Sequence, residues 1–113
     1  MDEKTKRDDA ELIAAFNSGS DPAFDELLDR HRVQMYRVAY GLLGNHEDAE
    51  EVVQDGFVKV YKNLKTFRGE SSFSTWLHRI IINLARNKYH WNRRRGADVN
   101  VSLSDRKKDP DSK

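Results

Sequence analysis

The sequence predicts an all-α fold, a compact bundle of about four helices. Apolar residues recur at spacings of three and four from residue 9 to residue 92, which is the period of an amphipathic helix. Three polar or glycine-containing breaks divide this pattern, at 18–20, at 44 and at 66–72. No pair of alternating segments flanks a tight turn, so no β-hairpin is predicted.

The first two predicted helices follow directly from these breaks. Helix one is expected from about Asp9 to Asn17 and ends at the Ser18-Gly19-Ser20 sequence. Helix two is expected over 22–43, because Asp21 can cap a helix and Pro22 suits its first turn. Gly44 ends it. His31 lies on the apolar stripe of this helix and is interpreted as a core or boundary histidine rather than a ligand.

Helices three and four contain most of the residues discussed below. Asn45 can cap a third helix that reaches about Lys65, with acidic residues in its first turn, where the helix dipole favours them. Gly56 lies inside this helix and costs about 1 kcal/mol relative to alanine, so close packing or a contact surface is expected there. After a loop over 66–72, a fourth helix is expected from Phe73 to Asn92, capped by a serine before it.

A chain of 113 residues is expected to form one domain. We assign 1–8 to a disordered N-terminus, 9–95 to the helical domain, and 96–113 to a flexible linker or tail. The charge is unevenly distributed: residues 1–65 hold 14 acidic and 9 basic side chains, whereas 66–95 hold 7 basic and 1 acidic. An acidic body joined to a basic helix predicts two different contact surfaces.

Several classes of protein are disfavoured. The chain has no cysteine, so disulfides and thiolate metal sites are excluded, and a reducing, cytoplasmic location is expected. No apolar segment is long enough to span a bilayer. The four histidines lack metal-ligand spacing, no glycine-rich phosphate loop is present, and the hydroxyls near residue 72 have no histidine–carboxylate partner. We therefore predict a non-enzyme without cofactors or metals.

The segment from Lys65 to Arg95 is the most informative part of the chain. Its basic residues are interleaved with aromatic ones, Phe67, Phe73 and Trp76 among them. Cations neutralise phosphates, and aromatic rings stack on unpaired bases. This combination favours a helical surface for nucleic acid, in particular for single strands.

Four motifs, taken in order, resemble domain two of bacterial RNA polymerase sigma factors, nearest to the extracytoplasmic-function (ECF) group. They are DPAFDEL at 21–27, GNHEDAEEVVQD at 44–55, FVKVY at 57–61 followed by Leu64, and FRGESSFSTWL at 67–77 leading into RI at 79–80 and NLA at 83–85. Each motif is weak alone, but their order and spacing over about residues 9–95 are specific. The resemblance implies a transcription-initiation factor with two functional surfaces.

One implied surface is the acidic third helix, which resembles the segment that binds the clamp helices of the polymerase β′ subunit. The residues it assigns to polymerase binding are Asp48, Glu51, Gln54 and Asp55. An acid–amide patch on a rigid helix would attract a basic partner.

The other implied surface melts promoter DNA and recognises the −10 element by capturing bases of the non-template strand. Asparagine amides can read base edges and the basic side chains would hold phosphates. The residues assigned to DNA are Phe67, Arg68, Gly69, Glu70, Ser71, Ser72, Phe73, Arg79, Asn83, Arg86, Asn87, Lys88, Arg93 and Arg94, with Arg95 beside them.

The aromatic residues have open roles. Trp76 is expected mainly in the core, and Phe67 either stacks on a base or anchors the loop. Tyr89 is unassigned, and Trp91 could cover the end of the bundle.

Two alternatives stay open on the sequence: a helix-turn-helix protein that binds double-stranded DNA, and a helical bundle that binds other proteins. An anti-sigma protein is a possible further partner. A complete ECF factor also has a second domain that binds the −35 element, and nothing after Arg95 resembles it, so the chain is expected to be a fragment or isolated domain.

Overall fold

The computed structural model describes the backbone of residues 7–99 and the side chains of residues 7–96. Four α-helices occupy this part of the chain: α1 (Asp9–Asn17), α2 (Asp21–Leu43), α3 (His46–Asn63) and α4 (Phe73–Val99). A short 3₁₀ turn, Leu64–Thr66, follows α3. The described residues contain no strand, and none of these helices combines the length and apolarity needed to cross a bilayer. The all-α prediction is confirmed.

Local sequence determines where each helix begins. Asp8 and Glu11 form a reciprocal capping box at the start of α1. Ser20, rather than the predicted Asp21, caps α2, because its hydroxyl accepts from the amide of Ala23. Asn45 caps α3 as predicted.

The ends of the predicted domain differ from the structure in two places. Asp8 was placed in a disordered N-terminus but is an ordered cap. Helix α4 continues past the predicted end at Asn92 to Val99, because arginine favours helix and one glycine does not stop it. Residues 96–99 of the predicted flexible tail are therefore helical, and the remainder of that tail, like residues 1–6, lies outside the described residues.

The core lies where α2, α3 and α4 meet, and α1 packs on α2. Its fully buried large side chains include Leu27 and Met35 of α2, Val60 of α3, and Leu77 and Ile81 of α4. A Cβ atom at Gly56 would overlap Ile81 Cδ1. The predicted reason for a glycine inside α3 is thus confirmed as close packing against α4.

His31 is buried, as the sequence predicted. Its Nε2 lies 2.9 Å from Asp9 Oδ2, and Arg30 donates to the other oxygen of Asp9 at 3.2 Å. The imidazole also contacts the ring of Phe73, with 5.4 Å between centroids. This histidine therefore connects α1 and α2 to the start of α4.

Candidate nucleic-acid interface and acidic helix face

The loop between α3 and α4, residues 67–72, is held at both ends by local hydrogen bonds. Phe67 donates its amide to the Leu64 carbonyl at 3.1 Å. Ser72 accepts from the amide of Thr75 at 3.1 Å and so caps α4. Gly69 has a φ of +79°, a backbone conformation that side chains with a Cβ seldom adopt. The loop consequently projects as a defined turn before α4.

A pocket of about 540 Å³ opens between this loop and the first turns of α4. Its lining residues share a polar or aromatic character; they are Thr66, Phe67, Arg68, Glu70, Ser71, Trp76 and Arg79. Aromatic surface, cations, a carboxylate and hydroxyls thus meet in one concave site. That chemistry suits a planar heterocycle attached to an anionic backbone.

An aromatic cluster forms the wall of the pocket. The Phe67 ring lies 4.9 Å from that of Trp76 and 6.1 Å from that of Phe73. Phe73 is buried, whereas Phe67 and Trp76 are each half-buried. Trp76 therefore packs against the cluster, as expected, and also presents part of its surface to the pocket.

A stripe of exposed polar residues continues from the pocket along α4. Arg79, Asn83, Arg86 and Asn87 are all exposed, and their spacing places them on one side of the helix. Within residues 7–96, no carboxylate forms an ion pair with Arg68, Arg79 or Arg86. Positive charge on this side of the helix is therefore available to an anionic partner.

The acidic face of α3 lies elsewhere on the bundle. Glu51, Gln54 and Asp55 are exposed and follow the three-and-four spacing of one helical face. Val58, half of whose surface is exposed, extends the same face by one turn. Asp48 differs from the others because it is partly buried against α4.

Lys88 of α4 contacts the acidic helix rather than the exposed stripe. Its Nζ lies 3.2 Å from Glu51 Oε1 and 3.8 Å from Asp48 Oδ1. Asn92, one turn later, donates to Asp48 Oδ2 at 2.8 Å. The structure thus brings a residue predicted for DNA together with two predicted for polymerase. We call this group of four side chains the α3–α4 junction.

The junction stabilises the ionised form of Asp48. The Asn45 side chain donates to Asp48 Oδ2 at 2.9 Å, Asn92 donates to the same oxygen, and Lys88 lies near Oδ1. Together they hold the pKa of Asp48 below its ordinary value of 3.8, although partial burial opposes the shift.

The last described turns of α4 combine aromatic and basic side chains. The ring of Trp91 has Lys88 Nζ 4.8 Å and Arg95 Cζ 4.5 Å from its centroid. Arg93 lies over Tyr89 at 5.6 Å, and Arg94 is exposed. Trp91 is 43% exposed, so it does not serve as a buried cover for the end of the bundle.

The structure brings most of the predicted DNA residues together in two groups. One group lines the pocket or continues from it along α4: Phe67, Arg68, Glu70, Ser71 and Arg79, followed by Asn83, Arg86 and Asn87. Gly69, Ser72 and Phe73 line a second groove of about 600 Å³ on the α1 side of the loop. Lys88, Arg93 and Arg94 are separate from the pocket, and Lys88 faces α3.

Sequence reasoning missed two residues of the pocket, Thr66 and Trp76. The spacing 73, 76, 79 at the start of α4 was the available signal, because it aligns Trp76 with a predicted site residue on each side.

Within the described residues, no group of three histidine or acidic side chains could hold a metal ion.

Comparisons with known proteins agree on one family. Residues 27–95 match the family model described as Sigma-70 region 2. The chain is 40% identical over 78 residues to the ECF RNA polymerase sigma factor SigM of Mycobacterium tuberculosis, covering 69% of this chain and 40% of that protein. It is 34% identical over 101 residues to the RNA polymerase sigma-H factor of Pseudomonas aeruginosa, covering 89% and 52%. The chain thus spans about half or less of these relatives.

A solved structure has the same fold. The NMR structure of an engineered region 2 of sigmaE in complex with GTAAAA superposes with a TM-score of 0.72 at 31% identity. The match covers 79% of this chain and 93% of that one.

Proposed function

The chain belongs to the Sigma-70 region 2 family, and on that premise we propose that it acts in the cytoplasm as part of a transcription-initiation factor. It would bind core RNA polymerase through α3 and capture bases of the non-template strand of the promoter −10 element at the loop and α4. Opening of the DNA would come from binding energy alone, because bases held in pockets offset their lost stacking and pairing.

The observation that carries the DNA half of this proposal is the pocket between the loop and α4. Its volume of about 540 Å³ admits a base. Phe67 and Trp76 offer ring surface for stacking, and Arg68 and Arg79 offer charge for the neighbouring phosphates. The structural relative with GTAAAA supports the same use of this fold.

The exposed stripe gives the bound strand a path. A strand leaving the pocket beside Arg79 would run past Asn83 and on to Arg86 and Asn87, where amides can read base edges and arginine can hold phosphates. Arg93 and Arg94 would hold phosphates farther along the helix. Lys88 is the exception, because its charge is already shared between Asp48 and Glu51.

Strand capture is tested by fluorescence anisotropy with single-stranded −10-like oligonucleotides and the matching duplexes. We expect tighter binding of single strands, with one or two base positions dominating. Asn83→Ala should reduce discrimination among sequences more than it reduces overall affinity; Asn17→Ala on α1 is the matched control. Stronger duplex binding would instead support the helix-turn-helix alternative.

Polymerase binding rests on the acidic face of α3, whose exposed Glu51, Gln54 and Asp55 would meet basic side chains of the β′ clamp helices. The double variant Gln54→Ala/Asp55→Ala should weaken binding to the cognate core polymerase by about tenfold or more, since interface truncations at central positions cost above 1 kcal/mol. Asp25→Ala/Gln34→Ala removes one acid and one amide from exposed sites on α2 and is the control. Equal affinity of both double variants would refute the docking assignment.

A further inference from the structure

Trp91 is the largest exposed hydrophobic side chain at the last described turns of α4, with 43% of its surface accessible. Tryptophan is usually well buried, and an exposed one at a rigid position is a common anchor of protein interfaces. The two surfaces proposed above are the loop with the exposed stripe of α4 and the acidic face of α3, and neither includes Trp91.

The surroundings of Trp91 connect it to the acidic face of α3. Lys88 Nζ lies 4.8 Å from the Trp91 ring centroid and, at the same time, 3.2 Å from Glu51 Oε1. Arg95 covers the ring from 4.5 Å. The indole, the lysine and the glutamate therefore form one continuous surface that crosses from α4 to α3. Two cation–π contacts also restrain the ring, which lowers the entropy lost on binding.

Charge and position favour a protein partner over nucleic acid at this ring. Trp91 lies 18 residues after Phe73, about 27 Å along the helix axis from the pocket end of α4. Trp91 connects to α3 through Lys88, whose charge is already shared between Asp48 and Glu51 and so is not free to hold a phosphate. A polypeptide with basic side chains for the exposed face of Glu51, Gln54 and Asp55 and an apolar group for the indole fits this combined surface.

We infer that Trp91 is an aromatic anchor of the polymerase-docking surface, which extends from Glu51, Gln54 and Asp55 of α3 across Lys88 to Trp91 on α4. This inference rests on the proposed docking of α3 to polymerase. Carboxylates on the rim supply orientation and rate of association, and a desolvated indole adds binding energy of its own. The ion pairs of Lys88 keep the two helices, and so the two parts of the surface, in fixed register.

The experiment compares three variants of the full chain: Trp91→Ala, Trp91→Phe and Val33→Ala. Val33 on α2 is 60% exposed and controls for loss of exposed apolar surface. For each variant, the Kd for cognate core polymerase and the Kd for a single-stranded −10-like oligonucleotide are measured, and circular dichroism reports helix content. We expect Trp91→Ala to weaken polymerase binding about tenfold with under twofold change in oligonucleotide affinity. Trp91→Phe should retain most of the polymerase affinity.

Three outcomes would overturn the inference. If Trp91→Ala binds polymerase like Val33→Ala while Gln54→Ala/Asp55→Ala loses affinity, docking on α3 stands and the extension to α4 fails. If Trp91→Ala weakens oligonucleotide binding and leaves polymerase binding intact, the ring is a base platform instead. If the unaltered chain does not bind polymerase at all, the proposed docking itself fails and the inference fails with it.

Discussion

Two basic residues of α4, Arg79 near the pocket and Lys88 near the far end, have opposite electrostatic environments. At the pocket end, Arg79 is exposed and no carboxylate of residues 7–96 pairs with it. At the far end, Lys88 is 19% exposed and lies between two carboxylates of α3. An unpaired cation attracts phosphates over distance, whereas a paired cation contributes little net charge beyond its partners.

Position on the helix, rather than charge alone, therefore decides the role of a basic residue. Residues 77, 81, 85 and 88 lie within one side of α4, and the first three of them are buried. Lys88 continues that inward side. At this point the opposing helix offers Asp48 and Glu51 instead of apolar side chains, so the inward position is occupied by a lysine.

The largest expected effect is at Gly56, where α3 packs tightly against α4. Gly56→Val would drive its side chain into the buried Ile81 and should destabilise the fold by roughly 1–3 kcal/mol. Gly41→Val on α2 is the matched control, because a Cβ there meets nothing within 4 Å. Urea unfolding followed by circular dichroism measures both. Equal stability of the two variants would contradict the close approach of α3 and α4.

A variant at Phe67 should affect strand binding at the pocket without affecting polymerase binding at α3. Phe67→Ala removes one wall of the pocket and should weaken single-strand binding by about 1–3 kcal/mol, the range found for loss of a stacking contact. Polymerase affinity should change by under about twofold, because the α3–α4 junction is not touched. Phe67→Leu keeps the anchoring volume without the ring: if it binds strands normally, Phe67 only anchors the loop.

A smaller effect is expected in the salt dependence of strand binding, which distinguishes Arg79 from Lys88 as a phosphate contact. Arg79→Ala should flatten the slope of log K against log salt by about 0.7, as expected for one phosphate contact on a single strand. Lys88→Met keeps the aliphatic part of the side chain, and its slope should equal that of the unaltered chain. If Lys88→Met also lowers the slope, the lysine leaves its carboxylates to hold a phosphate.

The smallest expected effect is the pH dependence contributed by Asp48. Its pKa is lowered in the folded chain by Asn45, then by Asn92 and Lys88, so its ionised form stabilises the fold above the ordinary value of 3.8. That contribution is lost as the pH falls through the lowered pKa. The free energy of unfolding, measured from about pH 5 to about pH 2, should fall more steeply for the unaltered chain than for Asp48→Asn. Identical curves would contradict the claim that the α3–α4 junction stabilises ionised Asp48.

Helix positions were predictable because each signal is local. Each signal acts on the backbone within a few residues, and the helices of the structure begin or end at these signals. They are the Ser18-Gly19-Ser20 break after α1, Gly44 after α2, and the caps Asn45 of α3 and Ser72 of α4. The end of α4 was missed, since the arginines there favour helix and only one glycine opposes it.

Parts of the candidate site were not predictable from charge and motif alone. Lys88 and Asn92 face α3 because of how two helices cross, which is tertiary information. The inward spacing of Lys88 was present in the sequence, but its partners on α3 lie 37 to 40 positions earlier in the chain. Trp76 was recognised as a packing residue, and its second surface toward the pocket became visible only with the loop in place.

Capture of a base between the loop and α4 is tested most directly by a 2-aminopurine scan. The fluorescent base is placed at each position of a single-stranded −10-like oligonucleotide in turn and titrated with the chain. We predict that emission changes strongly at one or two adjacent positions only, and that Phe67→Ala abolishes this change. A uniform response along the strand, or an unaltered response in Phe67→Ala, would contradict capture of a base between the loop and α4.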